Sequence, residues 1–165
     1  SSPTSGSTGG STDGRTGRYG LILRLATVED LSDLHKMLMV MHSETVDGTS
    51  PVAPEKLTVV IKNIFKSGII IIAEADGKII GSISGVESSD WWSNELYLAD
   101  VWFFVYKEYR KSRAALKLIK SFIEVGQISE AKVRLGHSNS GDIDRKDKFY
   151  DRLGMTKVGS IYMET

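Results

Sequence analysis

Positive charge is concentrated in residues 106–120 of a chain whose overall formal charge is zero. This stretch holds six basic residues and one acidic residue, Glu108, which gives a local charge of +5. The small side chains of Ser112, Ala114 and Ala115 would let a ligand approach the backbone. Free amides at the start of a helix favour an anion. The stretch therefore predicts a phosphate or pyrophosphate site, with a solvated basic helix face as the alternative.

A strand must end just before this basic loop, and a helix must begin within it. Residues 96–105 are typical of a long strand, and residues 112–125 are typical of an amphipathic helix. The apolar positions expected to face the core are Leu116, Ile119, Phe122 and Ile123.

The N-terminal half predicts one strand followed by two helices and a hairpin. Residues 21–25 are β-prone, and Thr27 suits the N-cap of an amphipathic helix. Pro54 can open a second helix, which Gly68 would end. Residues 69–75 and 78–86 predict two strands, joined by an Asp-Gly pair that is typical of a hairpin turn.

The C-terminal part predicts a short strand around Val133, a helix over residues 144–153 and a last strand over residues 157–163. The element order is β-α-α-β-β-β-α-β-α-β. The central strands favour antiparallel pairing, and the later strand-helix-strand units favour parallel pairing. We expect an α/β (α+β) fold with one mixed, mostly antiparallel sheet and helices on both faces.

Composition limits the class of protein. The 165 residues include 21 Lys and Arg, 21 Asp and Glu, and no Cys, which excludes disulfides and thiolate chemistry. Residues 1–20 are rich in Ser, Gly and Thr and predict a flexible linker or tag remnant, leaving residues 21–165 as one domain. No apolar run approaches the roughly 20 residues that span a bilayer. We expect a cytoplasmic protein with no membrane partner, and neutrality argues against general nucleic-acid binding.

Two motifs resemble those of one enzyme superfamily. The pattern Val105-x-x-x-x-Arg110-x-x-Arg113-x-Ala115, between a strand and a helix, is similar to the acetyl-coenzyme A loop of the GCN5-related N-acetyltransferase (GNAT) superfamily. Residues 149–155, Phe-Tyr-Asp-Arg-Leu-Gly-Met, are similar to its Phe-Tyr-x-x-x-Gly-Phe signature. The element order fits as well, and the resemblance covers residues 21 to about 164.

One residue departs from the family pattern. The first glycine of the family's loop is replaced by Arg113, whose long side chain stands where the backbone normally approaches pyrophosphate. Either the loop is remodelled, or the Arg113 guanidinium replaces part of the backbone cradle with a bidentate phosphate contact. We expect the second, because the neighbouring residues are small and basic. The remaining interpretation is that coenzyme binding has been lost.

The resemblance implies roles for particular residues. Backbone groups of Phe103 and Val105 would pair with the pantetheine arm of acetyl-coenzyme A. Tyr150 matches the family tyrosine that protonates the leaving thiolate, although a packing role is the alternative. The residues whose amides would hold the pyrophosphate are Arg110, Lys111, Ser112, Arg113, Ala114 and Ala115.

The general base is expected on the long strand, where the family often places a carboxylate. Asp100 is the only acid inside that run, five residues before Val105, whereas the commonest family spacing of six falls on Ala99. Because strand side chains alternate, one residue of offset reverses the face. A β-bulge, which this strand often carries in the family, would restore it. Glu87 and Glu95 are the alternatives.

Other chemically capable residues receive no catalytic assignment, and no metal is expected. Lone histidines are more often structural or solvated, which applies to His35, His42 and His137. Trp91 and Trp92 could line an acceptor pocket, form a dimer surface or be buried as a hairpin plug.

The sequence thus favours an acetyl-coenzyme A dependent N-acyltransferase that acts on a primary amine of a small molecule or a protein by direct attack. A non-catalytic coenzyme-binding or structural module of the same fold is the alternative. A homodimer is left open. A nucleic-acid binder that uses the basic helix face is the third hypothesis, and it would show steep salt dependence.

Overall fold

The helices and strands follow the predicted order from the first strand to the last helix. The computed structural model describes residues 20–45, 50–136, 143–162 and 164. Within these ranges the strands are β1 (Ile22–Leu25), β2 (Gly68–Ala75), β3 (Lys78–Ser88), β4 (Tyr97–Val105) and β5 (Lys132–Arg134). The α-helices are α1 (Leu31–Ser43), α2 (Pro54–Ser67), α3 (Ala114–Ile128) and α4 (Ile143–Arg152). Short 3₁₀ turns at Val28–Asp30 and Lys107–Tyr109 precede α1 and follow β4.

The strands form one mixed sheet in the order β1-β2-β3-β4-β5. The first three pairings are antiparallel and the β4–β5 pairing is parallel, which confirms the predicted fold class. The two halves of the predicted hairpin meet at Asp76 and Gly77, with φ values of 52° and 76°. Positive φ at both central residues is what a tight hairpin turn requires.

Two apolar clusters lie on opposite faces of the sheet. On one face, α1 and α2 cover Ile70, Ile72, Trp102 and Phe104. On the other face, α3 packs on Ile71, Ile83 and Leu98, with residues of α4 at its edge. Each α-helix therefore buries its apolar side against one face, as their sequence periodicity predicts.

Helix boundaries follow from local chemistry. Pro54 is the first residue of α2 and Gly68 follows its last, as predicted. The predicted start of α3 at Ser112 is two residues early, because the Ser112 hydroxyl accepts the Ala114 amide at 3.1 Å ahead of the helix. At the end of α4, Gly154 has a φ of 82°, which suits the predicted glycine stop.

The predicted last strand is wrong over the described residues 157–162, which form no strand. Val158 and Ile161 are 83% and 78% exposed. The β-branched composition predicted a strand, but a strand also needs a neighbouring edge, and these residues do not pair with the sheet. Residues 1–19, most of the predicted linker, lie outside the described part of the chain, as does His137.

No helix among the described residues is long and apolar enough to cross a membrane.

Candidate active site

Strands β4 and β5 stay paired over only three residues. Tyr97, Leu98 and Ala99 pair with Lys132, Val133 and Arg134. β4 then continues for six more residues along an edge that no strand of the described chain covers. The two strands thus separate in the middle of β4, next to Asp100.

A β-bulge at Val101 sets which side chains face this opening. Trp102 pairs with Ser84 and Asp100 pairs with Gly85, so Val101 is one extra residue on β4. Leu98 and Phe103 therefore both lie on the α3 face, although they are five residues apart. The predicted bulge is present, and it places Asp100 on the same face as Leu98, toward α3 and α4.

At alternate residues of β4, the backbone amide and carbonyl groups point toward the opening and away from β3. The Tyr106 amide donates to the Ile80 carbonyl at 2.9 Å, and Phe104 is registered with Ser82 on β3. In an antiparallel pair the residues between such positions direct their amide and carbonyl away from the partner strand. Phe103 and Val105 therefore present backbone groups along the open edge.

The Arg110 side chain folds back onto this edge instead of extending into the loop. Its Nε donates to the Val105 carbonyl at 2.8 Å, and its guanidinium lies 5.1 Å from the centre of the Phe104 ring. Its Nη2 donates to the Glu44 carboxylate at 2.5 Å, just beyond α1. The side chain thus connects the end of β4 to the end of α1.

Several backbone amides of the basic loop donate hydrogen bonds within the loop itself. The Arg110 amide donates to the Lys107 carbonyl, the Ser112 amide to the Tyr109 carbonyl, and the Ala114 amide to the Ser112 hydroxyl. These three predicted anion ligands already have partners. The Lys111 and Arg113 amides have none among the described residues, and the Ala115 amide lies in the first helical turn, where no intrahelical acceptor exists.

Arg113 fits its position without strain. Its φ is −87° and its ψ is 7°, a conformation that does not need glycine. Lys111, Ser112 and Arg113 are exposed, whereas Ala114 is fully buried beneath them. The loop therefore offers two exposed cations and small side chains at the start of α3.

Tyr150 packs on the face of the sheet that carries Asp100, and the two side chains are near enough to interact electrostatically. Burial raises the pKa of the Tyr150 phenol above its ordinary value, and the negative charge of Asp100 raises it further. Both effects disfavour the phenolate. Tyr150 is therefore a neutral hydroxyl over the physiological pH range, able to donate a hydrogen bond.

Backbone contacts hold both residues in place. The Gly136 amide, just after β5, donates to Asp100 Oδ1 at 3.1 Å. The Tyr150 carbonyl accepts the amides of Leu153 and Met155 at 3.1 Å each, in the turn that ends α4. The Phe149 ring lies 5.5 Å from the Tyr150 ring, edge to face, and packs against the core. The acid and the phenol thus come from different elements and lie within electrostatic range of each other.

The other candidates lie elsewhere. Glu87 and Glu95 are exposed, and Glu95 lies 3.9 Å from Lys132. His35 and His42 contact the carbonyls of Pro54 and Ser50 at 2.8 Å, so they join α1 to the segment that leads into α2. No group of three potential metal ligands occurs among the residues described.

The tryptophan loop between β3 and β4 is exposed, which excludes burial as a hairpin plug, one of the three alternatives that the sequence left open. Trp91 and Trp92 are 92% and 67% exposed. An ion pair fixes the loop: Arg134 on β5 donates to both carboxylate oxygens of Asp90, at 3.1 and 3.3 Å, and lies over the Tyr97 ring. Neither this contact nor Arg110–Glu44 could be predicted from the sequence, since both join residues more than 40 positions apart.

The fold is that of the GNAT acetyltransferases. It is similar to a possible acetyltransferase from Clostridium difficile 630, with a TM-score of 0.70 and 19% identity over 88% of this chain and 96% of that one. It is also similar to a GNAT family acetyltransferase from Staphylococcus aureus, with a TM-score of 0.60, 19% identity and coverages of 88% and 98%. Glucosamine-6-phosphate N-acetyltransferase from Arabidopsis thaliana has a TM-score of 0.65, 20% identity and coverages of 88% and 97%.

No family model and no curated protein matches the sequence.

Proposed function

We propose that the chain is an acetyl-coenzyme A dependent N-acetyltransferase that moves the acetyl group to a primary amine within a ternary complex. The observation that carries this proposal is that Tyr150 and Asp100 lie on the same face of the sheet, within electrostatic range of each other, where β4 and β5 separate. A phenol kept neutral and a carboxylate at one opening are suited to giving one proton and taking another.

The residues along β4 and the basic loop suit the acyl donor. The open edge at Phe103 and Val105 offers backbone groups to the amides of pantetheine, as an added strand would. Arg110 uses one lone pair of the Val105 carbonyl, and a carbonyl oxygen can accept a second hydrogen bond. The Lys111 and Arg113 amides, together with their cationic side chains, suit the pyrophosphate.

Proton transfer is divided between two side chains. Bound acetyl-coenzyme A supplies the acetyl group as a thioester. Asp100 accepts a proton from the attacking amine, directly or through water, as the nitrogen–carbon bond forms. Tyr150 donates its proton to the sulfur as the carbon–sulfur bond breaks. The Tyr150 phenol is protonated at neutral pH and holds that proton until the thiolate appears.

The Tyr150→Phe variant tests the acid role. We expect kcat to fall by about 10²- to 10⁴-fold, the usual contribution of a positioned acid, with the affinity for acetyl-coenzyme A unchanged. The measurements are thiol release with a panel of primary amines and calorimetric binding of coenzyme A. In the wild-type enzyme, kcat should show no alkaline decline from Tyr150 below about pH 10, because the raised pKa keeps the phenol protonated.

Phe149→Leu serves as the matched control, since it changes the neighbouring packing residue and leaves the phenol. Equal loss of binding and turnover in Tyr150→Phe would show a packing role instead. A thermal shift with coenzyme A but no transfer to any amine would favour the non-catalytic module. An equal shift with any polyanion would favour nonspecific binding by the basic helix face.

A further inference from the structure

The exposed tryptophan pair is unusual because its loop is held firmly. Trp91 and Trp92 lie edge to face, with ring centres 5.2 Å apart. Two hydrogen bonds from Arg134 fix Asp90 at the start of this loop, and the Ser93 amide donates to the Asp90 carbonyl at 3.1 Å. Two large aromatic side chains are therefore presented to solvent on a braced turn, where they can bind a ligand with little ordering cost.

Arg134, which holds the tryptophan loop through Asp90, lies near the proposed catalytic pair. Arg134 is registered with Ala99, the residue before Asp100. Gly136, which donates to Asp100, follows Arg134 by two residues, a distance of about 7 Å along an extended chain. The loop therefore lies beyond the paired end of β4 and β5, with three paired residues, or about 10 Å of strand, between it and Asp100, on the side away from the basic loop.

The charge of this end is opposite to that of the basic loop. Residues 87–100 contain four acidic residues and no Lys or Arg. Arg134 pairs with Asp90, and Lys132 lies near Glu95. Glu87 makes no ion pair with the described residues, and it is registered opposite Leu98, on the same face as Asp100. The Glu87 carboxylate and the exposed indole faces together are suited to a cation.

We propose that Trp91 and Trp92 form an outer acceptor subsite for a second ammonium group, so that the acceptor is a flexible diamine or oligoamine. This inference rests on the proposed function, because one amine reacts beside Asp100 while another stays charged against the indole rings. A monoamine would use the inner position alone. The carboxylates of Glu87 and Asp100, on one face of the sheet, attract the ammonium groups toward the opening.

Fluorescence quenching tests the subsite without requiring transfer. Trp102 is 3% exposed and donates to the buried Ser82 hydroxyl, so acrylamide will quench mainly Trp91 and Trp92. Spermidine, a triamine, should protect these indoles from acrylamide, whereas 1-butylamine at the same concentration should not. Absence of protection by spermidine would overturn the inference, even in an active enzyme.

Kinetics with a double variant supply the second test. In Trp91→Ala/Trp92→Ala, the KM for spermidine should rise about tenfold with kcat nearly unchanged, the loss expected for a partly desolvated cation–π contact. The KM for 1-butylamine should stay within about twofold, since it lacks the second ammonium group. Tyr162→Ala is the matched control, because Tyr162 is also 92% exposed but belongs to the C-terminal segment.

Two other outcomes would overturn the subsite. If the KM values are unchanged in the double variant, or rise equally for both amines, the indoles do not distinguish a second cation. A wild-type dimer in light scattering that the double variant dissociates would assign the pair to self-association. If coenzyme A binds and no amine is acetylated, the proposed function fails, and protection by spermidine still decides whether the cation subsite exists.

Discussion

A single extra residue in β4 decides which side chain reaches the opening between the strands. Without the bulge at Val101, Asp100 would lie on the α1–α2 face together with Trp102, two residues along the strand. With the bulge it lies on the face of Tyr150, whose pKa its charge raises. The position of a carboxylate along the chain therefore says less about whether it reaches the opening than the face of the sheet on which it lies.

Arg113 carries the first prediction at the residue scale. Since its backbone conformation does not need glycine, Arg113→Gly should remove a phosphate contact without relieving strain. We expect coenzyme A affinity to fall about tenfold, the loss typical of one charge-assisted contact. Calorimetry with Lys120→Ala as the control measures this. Tighter binding by the glycine variant would contradict the proposed guanidinium contact.

At the scale of secondary structure, an ionic network joins the start of α1 to the sheet. Arg24 on β1 donates to both oxygens of Asp30, at 2.7 and 2.8 Å, and to Glu74 on β2 at 2.8 Å. The Thr27 amide donates to Asp30 as well, which completes a capping box ahead of α1. Asp30 is only 8% exposed. Its negative charge is therefore stabilised mainly by these partners and not by water.

Asp30→Asn should destabilise the fold by about 1–3 kcal/mol at pH 7, because Arg24 would lose a charged acceptor. Hydrogen bonds from Arg24 and Thr27 hold the pKa of Asp30 below its ordinary value. The stabilisation is therefore complete above the unfolded pKa of about 3.9 and is lost as pH falls through the lower folded value. Urea unfolding at pH 7 and pH 3 measures the difference between wild type and variant.

The exposed Asp33, three residues further along the chain, provides the control for this prediction. Asp33→Asn should change the free energy of unfolding by less than about 0.5 kcal/mol, as is usual for a surface substitution. A loss in Asp30→Asn that stays constant down to pH 3 would show that side-chain shape, and not charge, holds α1 to the sheet.

Local patterns predicted the elements well, because each depends on residues close in sequence. The Asp76–Gly77 turn, the Pro54 start of α2 and the Gly154 stop all follow from single residue types with known backbone preferences. The last strand was predicted wrongly because its existence depends on a distant edge. Residues 157–162 have strand composition and no pairing.

The candidate site was predictable only in part. The family resemblance implied a role for Tyr150, and it implied Asp100 as the base if the long strand carried a bulge. The bulge is present, and the two roles stay predictions. The partners of Arg110 were not predictable, since the contact with Glu44 spans 66 residues and depends on where α1 ends. The contact between Arg134 and Asp90 was not predictable either, because β5 reaches β4 only after the α3 crossover.

At the scale of the whole molecule, neutrality conceals opposite charges at the two ends of β4. Residues 106–120 carry a local charge of +5, and residues 87–100 carry four acids without a base. The two helical layers meanwhile bury separate apolar clusters on the two faces of the sheet. Such a distribution can direct an anionic donor and a cationic acceptor to different ends of one opening.

This distribution predicts a salt dependence for donor binding. Raising the NaCl concentration from 0.05 to 0.5 M should weaken coenzyme A binding about tenfold, because exposed charges are screened beyond a few ångströms at high ionic strength. Dephospho-coenzyme A, which lacks one phosphate group, should show a smaller change in calorimetry. An affinity for coenzyme A that is independent of salt would contradict a role for the exposed Lys111 and Arg113 side chains.

The bulge at Val101 also affects how related sequences should be compared. A relative whose carboxylate is one position away from Asp100 can hold it at the same point in space if its strand has an insertion or a deletion there. An alignment that forbids gaps inside strands would pair Asp100 with a residue of the wrong face. Families built on such alignments would record the carboxylate as missing in chains that still possess it.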